Sequence, residues 1–109
     1  MEKKTKSKVV CKEYSQYCFF CGSPTDGEHH LLFGAGIRNL AEEDGLKVPI
    51  CSQCHTNAPV KNRIHDNPMA EKLSKMLGQA IYERNLCVEG VSMDDARETF
   101  RRRYGKSFW

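Results

Sequence analysis

The residues able to do chemistry in this chain are gathered into one stretch. Cys18-x-x-Cys21 is followed by Glu28-His29-His30, then by Cys51-x-x-Cys54-His55, and finally by His65. All 4 histidines and four of the 6 cysteines fall within it. A Cys-x-x-Cys pair is a chelating hook, because two intervening residues let both sulfurs turn to one ion while nearby N–H groups hydrogen-bond the thiolates. Two hooks supply the four thiolates of a tetrahedral structural zinc site. Gly22, directly after the first hook, suits the positive φ of a knuckle turn. Cys18, Cys21, Cys51 and Cys54 are therefore expected to hold Zn²⁺. A pair of disulfides would need an oxidising compartment, and the lysine-rich N-terminus lacks the apolar stretch of a secretory signal. A redox Cys-x-x-Cys would need a βαβ setting that neither pair has.

With four thiolates committed to one ion, the histidines are left for a second task. Two or three imidazoles around an ion with open positions make a catalytic metal site. One neutral imidazole beside that ion can take a proton from water near pH 7. A metal next to a scissile phosphate polarises it and stabilises the leaving oxygen. Together these parts describe metal-assisted phosphodiester hydrolysis, with Mg²⁺ or another divalent ion as the catalytic metal.

The elements that must position these groups follow from local patterns. Glu28 to Phe33 reads as a short strand, ended by Gly34-Ala-Gly36. Ile37 to Glu43 reads as a short helix. Leu46 to Ile50 reads as a second strand running into the second hook, short or at an edge because of Pro49. The two strands are expected to pair as an antiparallel ribbon. Cys54-His55 begins a helix or turn, and Thr56 to Asn62, with Pro59, reads as irregular. Asn67 is a good N-cap and Pro68 suits a first helical position, so a helix is expected over Pro68 to Arg84. Met69, Leu73, Met76, Leu77, Ala80 and Ile81 recur at helical spacing and are expected to face the core. Leu86 to Val91, with Cys87, reads as a loop. Ser92 caps a last helix whose first turn carries Asp94 and Asp95 and which ends near Tyr104-Gly105. Tyr14, Tyr17, Phe19 and Phe20 are expected to pack around the first hook, and Phe108 and Trp109 to fold back on the body. Cys11 reads as a small buried or free thiol.

A length of 109 residues fits one domain, small enough that a bound zinc would add needed stability. The net charge of +3 is mild, but its distribution is uneven. Lys3, Lys4, Lys6, Lys8 and Lys12 cluster at one end, and Arg101, Arg102, Arg103 and Lys106 at the other. Basic ends on a near-neutral middle suit DNA, with the second cluster as the candidate nucleic-acid contact; solvated surface is the alternative reading of the same charges. No apolar run reaches the ~20 residues of a membrane span, and the chain is expected to be cytoplasmic.

Taken together, these residues resemble the HNH endonucleases, also called His-Me finger or ββα-metal nucleases, especially the small phage-encoded kind. The resemblance rests on Cys18-x-x-Cys21, His29-His30 followed by Leu-Leu-Phe-Gly34, Gly45-Leu46 leading into Cys51-x-x-Cys54-His55, and His65-x-Asn67. It continues through Gly78-Gln79 and Phe100 to Lys106, and so covers nearly everything after the N-terminal tail. It implies an α+β fold: a two-stranded ribbon crossed by a helix, with the catalytic metal between them and a four-cysteine zinc holding the ribbon ends. Residues 1–10 would be a basic tail and 11–109 the nuclease-like domain, with the zinc-ribbon and ββα core at about 18–66 and a helical part at about 67–109. It implies His29 as metal ligand, His30 as general base, and His55 as a ligand, with His65 as a further ligand or phosphate contact. Glu28 would orient a histidine, or pair with His29 in place of the His29-His30 set. The middle asparagine of the family pattern has only Asn39 and Asp44 as candidates. The implied activity is metal-dependent DNA cleavage, with phage or host DNA-processing proteins as partners. The competing reading is a non-catalytic zinc module that binds DNA or protein on the same scaffold.

Overall fold

Two four-residue strands form the ribbon on which everything else is placed. The protein is described by a computed structural model that covers residues 10, 13–52, 54–55 and 64–109. The lysine-rich tail, Cys11 and the irregular stretch at 56–62 lie outside the described residues. The order is β1 (Gly27–His30), α1 (Ile37–Asp44), β2 (Lys47–Ile50), a 3-10 turn (Ile64–Asp66), α2 (Pro68–Val88) and α3 (Met93–Tyr104). This is a small α+β arrangement. β1 and β2 are antiparallel, with His29 opposite Val48 and His30 opposite Lys47. β1 is shorter than expected. Leu31 makes one further ladder bond to the Leu46 carbonyl at 2.9 Å, and the chain then turns away to bury Leu31 and Leu32.

The ribbon joins two apolar clusters. One contains Leu32, Ala41, Leu46, Phe100 and Tyr104, with Ile81, Tyr82 and Phe108 packed against it. The other contains Cys18, Ile50, Cys51 and Ile64. Phe108 thus folds back as expected, while Trp109 stays half exposed, with the Arg97 guanidinium 5.7 Å from its ring centre. Tyr14 and Tyr17 are more than half exposed and do not close around the hook.

The helix ends follow their capping chemistry. The Asn67 side chain accepts from the N–H groups of Met69 and Ala70, and Ser92 accepts from Asp95 N. Gly105 ends α3 at φ 91°, a conformation only glycine adopts without cost. α2 runs four residues beyond the expected end, so Cys87 lies in helix and not in a loop.

The larger difference concerns which face of α2 is buried. Its buried residues are Ser74, Gly78 and Gln79, while Met69, Leu73 and Leu77 are 63%, 55% and 42% exposed. The expected apolar stripe therefore does not face the core along its length. The reason is the closeness of β1's continuation. A Cβ on Gly78 would lie 2.9 Å from Leu32 Cγ and 3.1 Å from Leu31 Cβ, so only small side chains fit there. Gly78→Ala should accordingly lower stability. Helix propensity favours alanine by about 1 kcal/mol, but overpacking a closed core costs about 1–3 kcal/mol, and neither leucine has room to yield. A thermal melt should show a fall of several degrees; a rise would mean that this contact is not close-packed.

Candidate metal centres

The four hook cysteines converge. Cys18, Cys21, Cys51 and Cys54 place their sulfurs within 4.8 Å of one another, and all four are free thiols. The first hook is a knuckle: Gly22 N donates to the Cys18 carbonyl at 2.9 Å with φ 81°, and Phe20 N approaches Cys18 Sγ at 3.4 Å. Cys21 Sγ and Cys51 Sγ are 3.7 Å apart. That is far from a disulfide bond of about 2.05 Å. It matches the edge of about 3.8 Å of a tetrahedron with Zn–S near 2.3 Å. Four thiols this close cannot all ionise unaided. Hydrogen bonds from Ser23 pull Cys21 down to about 6, whereas burial and the neighbouring sulfurs push Cys54 up. A divalent cation makes all four thiolates favourable together, so the donor set fits zinc.

A second convergence is made of imidazoles. His29 from β1, His55 after the second hook and His65 in the 3-10 turn each offer one nitrogen to a group within 4.8 Å. His29 is 1% exposed, and its ring lies 5.3 Å from that of His55 and 5.1 Å from that of His65. Its hydrogen bonding fixes its tautomer. Ser74 Oγ donates to the Leu31 carbonyl at 2.8 Å, so its hydroxyl accepts from His29 Nε2 at 2.9 Å. Nε2 therefore carries the proton, and Nδ1 is left with a lone pair. Among the described residues that Nδ1 is buried without a hydrogen-bond partner. A buried acceptor with no partner is costly, and a cation would satisfy it.

The other two rings fit the same reading. His65 donates from Nδ1 to Glu71 Oε2 at 3.2 Å, which turns Nε2 toward His55. A carboxylate behind a ligating imidazole orients it and raises its basicity. The two Nε2 atoms of His55 and His65 are 2.9 Å apart, close to the octahedral edge around an ion with ligands at about 2.1 Å. Burial first, then the His65, His55 and His30 rings, push His29 down to about 3. Burial first, then the His65, Arg38 and His30 charges, lower His55. Both are neutral near pH 7, the form that binds metal.

His30 borders the same cavity, of about 170 Å³, together with Glu28, His29, Phe33, Arg38, His55 and His65. Its ring sits between Glu42 Oε1 at Nε2, 2.7 Å, and Arg38 Nε at Nδ1, 3.4 Å. Glu28 reaches the cavity edge but is ion-paired with Lys47 at 3.1 Å. Hydrogen bonds from Lys47 and His30 hold Glu42 below its ordinary value. Burial works against the charge on Lys47, but the Glu42 and Glu28 carboxylates outweigh it and keep the ammonium above its ordinary value.

The remaining candidates separate. Arg101 and Arg102 lie on the open face of α3, each beside Glu98. Arg103 turns inward instead, onto Asp44 at 2.7 Å and Glu43 at 2.9 Å, and Tyr104 donates to Asp44 at 2.6 Å. Arg103 thus clamps α3 to α1. Lys106 lies over the Phe108 ring. Asp44 is spent on the same clamp and Asn39 is exposed, so neither reaches His30. Sequence reasoning missed Arg38, Glu42, Glu71 and Ser74. The signals were present: Arg38 and Glu42 stand at i,i+4 on α1, and Glu71 is the acid of the first turn of α2.

The model of a family of proteins of unknown function, DUF968, matches residues 2–88, and the chain belongs to that family. No curated protein and no solved structure matches the chain. No helix among the described residues is long and apolar enough to cross a membrane.

Proposed function

We propose that the protein is a metal-dependent endonuclease of the HNH type that hydrolyses phosphodiester bonds in DNA. The observation that carries this reading is the orphaned, buried Nδ1 of His29, on a ring that converges with His55 and His65 in a cavity that His30 and Arg38 also border. A zinc-stabilised binding module needs the four thiolates but has no use for three convergent imidazoles beside a fourth. His29, His55 and His65 would hold a divalent ion. When bound, that ion polarises the scissile phosphate and stabilises the leaving oxygen. His30 takes a proton from water as the water oxygen bonds to phosphorus. The bond from phosphorus to the leaving sugar oxygen breaks, and that oxygen is protonated from solvent. Arg38 offers a guanidinium to the phosphate at the cavity mouth. Arg101, Arg102 and Lys106 remain available for the DNA backbone.

The test is nicking of supercoiled plasmid by zinc-loaded protein with Mg²⁺, Mn²⁺ or neither. Cleavage should need the added ion and fall by at least about 100-fold in a His55→Ala, His65→Ala double variant that keeps its zinc. Plasmid binding without nicking under every ion would replace this reading with that of a non-catalytic module.

A further inference from the structure

The two groups on either side of His30 come from one face of α1 and make opposite demands on the ring. A carboxylate can only accept a hydrogen bond and a guanidinium can only donate one. Glu42 Oε1, 2.7 Å from Nε2, therefore requires the proton on Nε2, and Arg38 Nε, 3.4 Å from Nδ1, requires a lone pair on Nδ1. Both contacts select the same neutral tautomer. Glu42 is itself anchored, because its second oxygen accepts from Lys47 Nζ at 2.9 Å. The Lys47 side chain is 1% exposed, and its residue is the cross-strand partner of His30. Ring, carboxylate and ammonium thus form one chain rooted in β2, with little freedom at any link.

We propose that Glu42 is the positioning residue of His30, holding its ring in the Nε2–H tautomer so that Nδ1 is the basic nitrogen presented to the cavity. Its consequence for cleavage rests on the nuclease reading, whereas its structural content does not. Arg38, a donor at Nδ1, marks the side from which the O–H of an attacking water would arrive. Water gives its proton to Nδ1, and the positive charge that develops on the ring is met by Glu42 at Nε2. A carboxylate behind a catalytic imidazole acts this way by fixing tautomer and orientation, without itself taking the proton.

The experiment has a spectroscopic arm and a kinetic arm, both on zinc-loaded full-length protein. Imidazole nitrogen NMR above neutral pH should find wild-type His30 protonated at Nε2. Glu42→Gln should mix or reverse the tautomers, since an amide can also donate. Glu42→Asp keeps the negative charge beside Lys47, so it guards against a folding loss, but its shorter side chain should likewise release the ring. Single-turnover plasmid cleavage at saturating metal should then fall about 10- to 100-fold in rate in both variants, with the DNA concentration for half-maximal rate unchanged. An Nδ1–H tautomer in the wild type, or one that neither variant alters, overturns the assignment, as does a loss confined to DNA affinity. If the wild type cuts no DNA with any metal, the nuclease reading falls, and the NMR arm alone decides the role of Glu42.

Discussion

Cys51→Ser protein, purified without chelator, should carry almost no zinc and should melt far below the wild type. Cys51 is buried, belongs to the same apolar cluster as Cys18, Ile50 and Ile64, and directly follows β2. A structural zinc contributes about 10–16 kcal/mol in small finger domains, and that binding energy is folding energy. A domain of this size has only about 5–15 kcal/mol of net stability. A serine oxygen is a poor substitute for a thiolate at this ion, so even a minor share of the binding energy lost exceeds about 3 kcal/mol. That corresponds to a fall in Tm of roughly 10–20 °C. Elemental analysis beside a thermal melt makes the measurement. Cys87→Ser is the control: Cys87 lies in α2, outside the sulfur cluster, and its loss should leave zinc content unchanged. Full zinc occupancy in Cys51→Ser would sink the four-cysteine site.

The cysteine and histidine clusters were legible in the sequence because rare, chemically distinctive residue types recur within one short stretch. The helix ends were legible for a similar reason: Asn67-Pro68, Ser92 and Gly105 act within one turn of themselves. The orientation of α2 was not. Periodicity says that one face is apolar, but it cannot say that the chain after β1 approaches so closely that Ser74 and Gly78 fit where leucines do not. The charges were also ambiguous, since three consecutive arginines look alike until Arg103 is seen closing on Asp44 while its neighbours face outward. Glu42, Glu71 and Ser74 act on the histidines from positions 12, 6 and 45 residues away respectively. Only tertiary structure brings such pairs together. Glu42 also explains how His30 can be held with neither Asn39 nor Asp44 beside it.

The second large effect concerns His30 itself. On the proposed nuclease reading, His30→Ala should abolish cleavage while zinc content, fold and DNA binding stay close to wild type. A general base acts on the attacking water, so its loss appears in the chemical step and not in ground-state binding. The expected fall is about 100- to 10,000-fold in rate. The structural cost should be small: Glu42, left without the ring, keeps Lys47, and its side chain is 39% exposed, so water can replace the imidazole. His55→Ala should behave differently, because on that reading it would weaken the hold on the proposed metal. Excess Mg²⁺ or Mn²⁺ should restore part of its activity, whereas no metal concentration should restore His30→Ala. His29→Ala should share the partial rescue but also lose stability, since it removes a buried hydrogen bond to Ser74. Single-turnover plasmid cleavage across a metal titration, with the three variants side by side, separates these cases. Rescue of His30→Ala but not of His29→Ala would exchange their roles and make Glu28 the ligand, which would require it to leave Lys47. Wild-type cleavage by all three variants would remove the histidine cavity from the mechanism.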